Sequence, residues 1–584
     1  MKKNILERAS EWRVPKSEKA LNAIGSFSLT EKIIFYAFVG IFIATGLTLL
    51  YSMNKAFLVE VPAKGGTLQE GIIGSPRFIN PLLAISEADK DLTSLVYSGL
   101  LKATPEGNLE NDLALSYTVS EDGLIYDFIL KDNIYFHDGK KLTADDVMFT
   151  IEKAQDVMLK SPKRPNWDGI VLEKVSDKEI RFTLKQAYYP FLENLTLGIL
   201  PKHLWKGLDS DQFASSLLNV EPIGSGPYKI KSVQKNSSGL PVSYQLSSFK
   251  NYISGQPYIS TLIIKLYSNE SDILTAFKKG EIESLNGISP QEISKINLNG
   301  SRIEKSTLPR VFGVFFNQNQ APVFANKEVR IALDTALDKQ EIINSVLGGY
   351  GVPINEPIPP GGEFDVKNAS SSESSVSRLE QAQNILKKAG WSLNEESKVM
   401  EKKSKKDTIQ LKFSISTGEA PELKAVAQKI KEQWEKIGAS VDVKVFETGD
   451  LNQNIIRPRK YDALFFGEII GRDLDLYPFW HSSQRNDPGL NIAMYTNSKV
   501  DKILEDTRTI LDKNKRFEKY KELEKIMEED TPVAFTYSPE FIYIVPSKIK
   551  NINLGQVTVP SERFLNISKW NIGTDKVWKV FADQ

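Results

Sequence analysis

The most regular pattern of apolar and polar positions lies between residues 111 and 155. Apolar side chains recur there at every second position, which is the period of a strand with one buried face. These side chains are Leu124, Tyr126, Phe128 and Leu130. Asp122 and Gly123 precede the strand and predict a hairpin turn, because glycine takes positive φ without steric cost.

A helix is predicted after a second turn, Asp138-Gly139, which closes a short strand over residues 134–137. Thr143 is a candidate N-cap, and two aspartates follow it where the helix dipole favours anions. The apolar stripe of the helix consists of Val147, Met148, Ile151 and Ala154. The segment is therefore predicted as strand, turn and helix, and it contains no reactive group.

A second region predicts an α/β domain. Apolar residues alternate over 409–415, recur at helical spacing over 423–437 and alternate again over 441–445. Such a β-α-β unit should have a right-handed crossover and parallel strands. One long helix over 500–529 and a strand over 533–537 are predicted to follow.

The longest apolar run, residues 33–54, carries no charge, and about 20 apolar residues suffice to cross a bilayer as a helix. Residues 1–32 contain seven basic and four acidic side chains, so the positive-inside rule places the N-terminus in the cytoplasm. A cleaved signal peptide is the alternative, but the leader is long and Val61-Pro62-Ala63 is a poor cleavage site. We therefore expect an uncleaved anchor.

The segment with the clearest pattern also has a distinctive order of residues. Ser-x-Asp-Gly at 120–123 is followed by Phe-His-Asp-Gly-x-x-Leu-Thr-Ala-Asp-Asp-Val at 136–147. This order resembles the extracytoplasmic solute-binding proteins of ABC importers, specifically the oligopeptide-, dipeptide- and nickel-binding family (family 5 type). Further segments that resemble the family are 65–84, 96–114, 223–230 and 329–338.

The resemblance implies an α/β fold with two periplasmic-binding-protein-like lobes (type II, cluster C) and an extra subdomain, preceded by one transmembrane helix. A chain of 584 residues is too long for a single core, which agrees with several domains. The expected parts are a cytoplasmic segment 1–32, a transmembrane helix 33–54, a tether 55–64, lobe I over 65–320 and 536–584 with an inserted subdomain over roughly 85–215, and lobe II over 321–535. The crossing between the lobes is expected near 318–325, and the serine run 370–375 is interpreted as a loop or flexible insertion.

Composition excludes several classes of protein. The chain carries 74 basic and 74 acidic side chains, and this balance gives no general attraction to nucleic acid. Cysteine is absent, which excludes disulfides, thiolate metal sites and a cysteine nucleophile. It also removes the lipid-modified cysteine that many members of the family use as a membrane anchor.

No sequence motif for catalysis or metal binding is found. His137, His203 and His481 are scattered without metal-ligand spacing. The glycine-rich segment 223–230 has two glycines but lacks the Gly-Lys-Ser/Thr that a phosphate loop requires, and no G-x-S-x-G elbow occurs. We expect a binding protein with no enzymatic activity, no cofactor and no metal.

The resemblance also points to the ligand site. In the family, a strand corresponding to the one that ends at Gly467 is followed by a tryptophan and then by an aspartate that pairs with the ammonium group of a peptide. Glu468 stands here in the tryptophan position and Gly471 in the aspartate position. Either Glu468 or Asp473 replaces that aspartate, or the ligand has no free amine there. A solvated acidic loop is the alternative.

Other candidates come from the rest of the resemblance. The opening strand of the family lies beside the ligand, so Glu70 is a candidate groove residue, with an exposed strand carboxylate as the alternative. The full set of candidate ligand-binding residues is Glu70, Tyr97, Asn317, Gly467, Glu468, Ile469, Arg472, Asp473 and Asp475.

The expected function is that of a solute-binding protein held at the cell membrane by a single helix, with its binding domain outside. It would capture a peptide, or a similar small solute, by closing two hinged lobes on it. The expected partners are ABC permease subunits with a separate ATPase, and the protein itself is expected to be a monomer. Two alternatives are an extracellular ligand sensor and a surface peptidase that depends on Glu468.

Overall fold

The structure is a computed structural model that describes residues 17–298, 300–361, 375–403 and 407–581. Its longer helices, in chain order, are α1 Ser17–Gly25, α2 Leu29–Phe57, α3 Glu87–Val96, α4 Ala144–Gln155, α5 Ser210–Ser215, α6 Glu270–Lys278, α7 Lys327–Ala336, α8 Lys339–Val346, α9 Ser375–Lys388, α10 Pro421–Glu435, α11 Ser498–Thr509 and α12 Lys513–Asp530.

The strands, in chain order, are β1 Leu58–Ala63, β2 Thr67–Ile73, β3 Leu101–Ala103, β4 Leu109–Asn111, β5 Ala114–Val119, β6 Ile125–Leu130, β7 Val171–Ser176, β8 Glu179–Thr183, β9 Tyr228–Lys235, β10 Pro241–Ser248, β11 Thr261–Tyr267, β12 Ser284–Asn286, β13 Ser301–Thr307, β14 Arg310–Phe316, β15 Gly351–Pro353, β16 Ser392–Leu393, β17 Met400–Lys403, β18 Thr408–Gln410, β19 Lys412–Gly418, β20 Ser440–Phe446, β21 Ala463–Ile469, β22 Val533–Pro546 and β23 Gly573–Trp578.

The largest sheet has two halves joined by β22. Its order is β20-β19-β21-β14-β22-β12-β2-β11-β10-β9, and β13 and β15 also pair with β22. The N-terminal part of β22 pairs with β14, whereas its C-terminal part pairs with β12 and β13. The chain also passes from β13 to β14 through Leu308 and Pro309. Two adjacent segments therefore connect the two halves.

Each half of the sheet has its own hydrophobic cores. Strand β14 shows why the second half is covered on both faces, because alternate side chains of a strand point to opposite sides. Val314 and Phe316 belong to the core that contains α10, while Val311 and Phe315 belong to the core that contains α11. The largest core covers the first half of the sheet and includes the separate sheet β5-β6-β8-β7.

The N-terminal helix forms a separate compact unit with β1 and β23, and residues 64–572 form the other unit. Helix α2 begins at Ser28, whose hydroxyl accepts a hydrogen bond from the Glu31 backbone N–H. The helix is long and apolar enough to cross a membrane, and none of its residues is buried. Strand β1 continues directly from its end and pairs antiparallel with β23.

Several predicted elements are confirmed. Strand β6 has Tyr126, Phe128 and Leu130 on its buried face, and Gly123 has φ +69 in the turn before it. Helix α4 begins after Thr143, and the backbone N–H of Thr143 donates to the Asp146 carboxylate in a capping box. Strands β19 and β20 are parallel and flank α10, as the β-α-β prediction requires.

Two predicted elements are wrong. Residues 134–137 form only an isolated bridge between Tyr135 and Lys141, not a strand. The single helix predicted over 500–529 is two helices, α11 and α12. The tether over 55–64 stays a prediction; most of this segment is strand β1, because β23 supplies its backbone hydrogen-bond partners. Most of the serine run 370–375 lies outside the described residues.

The predicted lobe boundaries stay a prediction, although strand pairing favours different ones. Strand β14 pairs with β21, so the second half of the sheet begins before the crossing predicted at 318–325. That range instead contains the short 3-10 helix Pro322–Ala325. Residues 573–581 belong to the unit of α2 and not to lobe I, because β23 pairs with β1.

A buried ion cluster joins five segments in the first half of the sheet. Arg563 is fully buried and donates to both oxygens of Asp91, at 2.7 and 2.8 Å, and to Glu70 at 3.0 Å. Glu70 also accepts hydrogen bonds from Tyr543 at 2.6 Å and from Ser284. These contacts connect β2, α3, β12, β22 and the 3-10 turn Pro560–Phe564.

Replacing Arg563 by alanine should strongly destabilise the protein. Asp91 and Glu70 would remain buried without a cation, and breaking a buried ion pair costs about 3–5 kcal/mol. Urea unfolding of the full chain in detergent measures this. Arg181→Ala is the matched control, since Arg181 pairs with Asp127 at the surface, where solvent screens the pair and its loss should change stability little. Equal losses for the two variants would contradict the prediction.

Candidate functional site

Two neighbouring cavities form the candidate site, and the larger one has a volume of about 770 Å³. Residues 163–197 form most of one wall, and residues 471–473 with Arg508 form the opposite wall. The first wall belongs to the core of the first half of the sheet, and the second wall adjoins the core that contains α11. A volume of this size is typical of small-molecule sites, which commonly measure about 300–1,000 Å³.

A smaller cavity of about 460 Å³ lies beside it, and Lys163, Glu193 and Arg472 are among the residues that line both. Its wall includes the end of α3, where the buried hydroxyls of Thr93 and Tyr97 have no hydrogen-bond partner within the part of the chain that the structure describes. A buried polar group without a partner costs about 1–3 kcal/mol. A polar ligand group that bonded these hydroxyls would recover that cost.

A glycine turn sets the position of Tyr97. Gly226 donates its backbone N–H to the carbonyl of Val96 at 2.8 Å. A Cβ atom on Gly226 would lie 2.5 Å from the Val96 carbonyl carbon, so only glycine permits this approach. The segment 223–230, which lacks a phosphate-loop pattern, therefore holds the end of α3 against the cavity.

Arg472, which lines both cavities, forms an ion pair with a residue that lines the smaller one. Arg472 donates to Glu562 at 2.7 Å, and the Arg472 side chain is only 5% exposed. Glu193 lies in the same wall of both cavities. Burial raises the pKa of Glu193 to about 7, with Arg472 opposing the shift and Asp473 adding to it. The site thus contains a carboxyl group that titrates near neutral pH.

Asp473 occupies the space that a side chain at position 471 would fill. A Cβ atom on Gly471 would overlap Oδ1 of Asp473, so the carboxylate lies directly over the glycine. In the described part of the chain Asp473 makes no ion pair. Burial raises its pKa to about 6, and the neighbouring Asp475 adds to the shift.

Asp475 is held by protein groups. It accepts two hydrogen bonds from Arg508, at 2.9 and 2.6 Å, and a longer one from Tyr188 at 3.4 Å. The Tyr189 backbone N–H donates to the Arg508 carbonyl at 2.9 Å, and the Arg516 guanidinium lies 3.3 Å from the Tyr189 ring centre. These contacts bring the two cavity walls together at one end.

Two of the predicted site residues lie away from both cavities. Glu70 is 1% exposed and belongs to the Arg563 cluster, so it is not an exposed strand carboxylate, and its role beside a ligand stays a prediction. Asn317 is buried at the end of β14, where its amide donates to the Arg459 carbonyl and accepts from Asn319. Both side chains have structural partners in place of a ligand.

Three more predicted residues lie on β21 without lining either cavity. A Cβ atom on Gly467 would come within 2.6 Å of the Phe312 ring, and Ile469 is 56% exposed. Glu468 is 6% exposed, and no described residue forms a hydrogen bond with either of its carboxylate oxygens. Burial raises its pKa well above the usual value. Of the nine candidates, Tyr97, Arg472 and Asp473 line the cavities, and Asp475 lies beside Asp473.

Comparison with known protein families identifies a family of solute-binding proteins, which agrees with a cavity lined by residues from two different cores. The family described as "Bacterial extracellular solute-binding proteins, family 5 Middle" matches residues 108–489, well over half of the chain. The chain belongs to this family. The fold predicted from the resemblance, two lobes of α/β type, is thereby confirmed.

Individual relatives cover nearly the whole chain. The oligopeptide-binding protein AppA of Bacillus subtilis is 28% identical over 87% of this chain and 92% of its own. Its structure with a nonapeptide has a TM-score of 0.65 and 27% identity, covering 88% of this chain and 100% of that one.

Two other structures of ABC-transporter or nickel-binding proteins are similar. The substrate-binding protein CtaP of Listeria monocytogenes has a TM-score of 0.73 and 26% identity, covering 87% of this chain and 99% of its own. NikZ of Campylobacter jejuni, in complex with Ni(L-His), has a TM-score of 0.65 and 26% identity, covering 86% and 99%. Members of this family therefore bind chemically different solutes.

Each of the three histidines of this family-5 protein forms hydrogen bonds with other groups of the chain. The Nε2–H group of His137 donates to the Gly226 carbonyl at 3.0 Å, and burial lowers the pKa of His137 to about 4. His203 pairs with Asp138 at 2.7 Å, and His481 contacts Ser483. Within the residues that the structure describes, no group of three His, Cys, Asp or Glu side chains could hold a metal ion.

Sequence reasoning missed several cavity residues. Glu193, Arg508 and Glu562 are isolated in sequence, and no motif marks them as parts of a site. The Tyr188-Tyr189 pair before Pro190 is a weak signal, because adjacent aromatic residues in a loop need a partner surface. Their partners come from α11 and α12, hundreds of residues later in the chain.

Stability should fall as the pH rises through the titration range of Glu193. The pKa of the Glu193 carboxyl group is 4.5 in the unfolded chain and about 7 in the folded chain. Between these two pH values the folded chain therefore holds a proton that the unfolded chain has lost. The proton is lost above that range, so stability is highest at its acidic end. Glu193→Gln should remove this loss, on the order of 2 kcal/mol between pH 5 and pH 8.

Urea unfolding of the full chain at both pH values measures this difference. Asp168→Asn is the control, because Asp168 lines the same cavity but its side chain is 69% exposed. The wild-type pH dependence should persist in the control. A Glu193→Gln variant with an unchanged pH dependence would contradict the assignment.

Proposed function

We propose that this protein is the membrane-anchored solute-binding protein of an ABC importer, that it captures peptides between its two lobes, and that it delivers them to a permease. The observation that supports this most is the cavity between residues 163–197 and residues 471–473, which belong to different cores. A ligand there would contact both lobes and favour the closed arrangement, since a ligand shifts a population by its differential affinity.

Peptide is the favoured ligand because the site presents both charges. Arg472 and Arg508 line the larger cavity as cations, while Asp473 lines it as a carboxyl group that pairs with no cation among the described residues. The family's site aspartate is absent at Gly471, and the Asp473 carboxylate lies over that glycine. Asp473 therefore replaces it as the partner of a ligand ammonium group, whereas Glu468 lines neither cavity.

A short peptide fits this proposal better than a long one. The larger cavity, about 770 Å³, is within the usual range for small ligands. Tyr188 and Arg508, which both line it, are joined by the hydrogen bonds of Tyr188 with Asp475 and of Tyr189 with Arg508. The structure of the relative AppA contains a nonapeptide. This supports a peptide as the class of ligand for this protein, whereas the short length is proposed from the cavity volume.

Asp473→Asn should weaken binding of a peptide with a free amino terminus by about 10- to 100-fold, because hydrogen bonds to charged groups contribute roughly 1.5–3 kcal/mol. Isothermal titration calorimetry with trialanine measures this. N-acetylated trialanine is the matched ligand control and should bind wild type and variant equally. If Glu468→Gln weakens trialanine binding and Asp473→Asn does not, the ammonium partner is Glu468.

Binding of trialanine should also depend on pH. The ammonium group pairs with the ionised form of Asp473, whose pKa in the free protein is about 6. Affinity should therefore be constant above this value and fall about tenfold for each pH unit below it. The acetylated peptide should lack this dependence, and a pH-independent affinity for both peptides would contradict the role of Asp473.

The membrane anchor is the second part of the proposal. Helix α2 contains 29 residues, about 43 Å at 1.5 Å per residue, which is enough to cross the hydrocarbon core. Intact mass spectrometry of the membrane fraction should give a chain near 65.6 kDa, because an anchor is not cleaved. A mature chain that begins after residue 54 would identify the helix as a cleaved signal peptide.

A further inference from the structure

The strand pair β1-β23 brings the C-terminal segment to the end of α2. Leu58 lies opposite Trp578, and Ala63 lies opposite Gly573 at the far end of the pair. The indole N–H of Trp578 donates to the side-chain carbonyl of Asn54 at 2.7 Å. Trp578 is thus beside the last turn of the helix, at the level where the apolar run ends.

The residues around this point expose apolar side chains. Trp578 is 51% exposed, and the next apolar residues, Val580 and Phe581, are 70% and 59% exposed. Phe57 and Tyr51 on α2 are also more than half exposed. A two-stranded ribbon is only marginally stable in water. An apolar surface of this kind, continuous with a membrane helix, needs a partner that covers it.

Charge is distributed unevenly along the ribbon. Lys55 and Lys579 lie at the helix end, whereas Asp575 lies further along β23, opposite Val61. Lys576 stands opposite Glu60, so that pair adds little net charge. The positive end is therefore the one nearest the bilayer, where it would meet lipid phosphates and where lysine stems can extend over apolar surface.

We propose that Trp578, Val580 and Phe581 insert into the lipid–water interface beside α2, on the outer side of the membrane. Tryptophan favours this level of a bilayer because its ring is apolar while its N–H remains bonded. The inference rests on the proposed membrane anchor, and it adds a second lipid contact made by the other end of the chain. The occupant of this surface is lipid because the surface continues that of the helix.

Site-specific labelling tests the insertion directly. The chain has no cysteine, so Val580→Cys can carry a single bimane label in the full protein. Thr574→Cys is the matched control, since it is exposed on the same strand about 13 Å from Trp578, at 3.3 Å per residue. Both proteins are reconstituted in vesicles of phosphatidylcholine and phosphatidylglycerol.

Lipid-bound nitroxide should quench the label at position 580 several-fold more than the label at 574, and iodide in solution should do the reverse. Trp578→Ser should reduce lipid quenching at 580. Equal quenching at both positions, while the protein still floats with the vesicles, would overturn the insertion and leave the anchor intact. Loss of flotation would overturn the anchor and the insertion together.

Discussion

The buried pairing of Arg563 with Asp91 and Glu70 is the constraint on which much of lobe I depends. Two carboxylates and one guanidinium are removed from water together, which is tolerable only when each charge has its partners. Because Asp91 lies on α3, the cluster fixes that helix against β2 and the C-terminal turn. The same helix ends at Tyr97, so an interaction outside the cavity positions one of its walls.

The charged side chains in the wall of the cavity differ in whether they have an ion-pair partner. Arg472 has a partner in Glu562, and Arg508 has one in Asp475, so both cations are partly neutralised. Asp473 has no ion pair among the described residues and is left with a raised pKa. In the proposed function, this carboxyl group is the one that would pair with a cationic group on the ligand, such as the amino terminus of a peptide.

Connection of the two lobes depends on continuous strands. The lobes share β22, and β13 leads into β14 across only two residues. In the proposed function, closure of the lobes would bend the chain at these short connections, as in hinge motions of other two-lobed proteins. Tyr188 and Tyr189 contact Arg508 and Arg516 at one end of the cavity, and a ligand would add contacts to this arrangement.

The sequence by itself determined the local elements and the family, because strand alternation, helix caps and the segment at 120–147 depend on neighbours in the chain. It also singled out Arg472 and Asp473, which the structure places in the wall of the larger cavity. Only the tertiary structure decided that Glu70 is buried by Arg563, that β1 pairs with β23, and that Glu193 faces the cavity. The physical reason is that each of these depends on a partner distant in sequence, whose identity no local pattern contains.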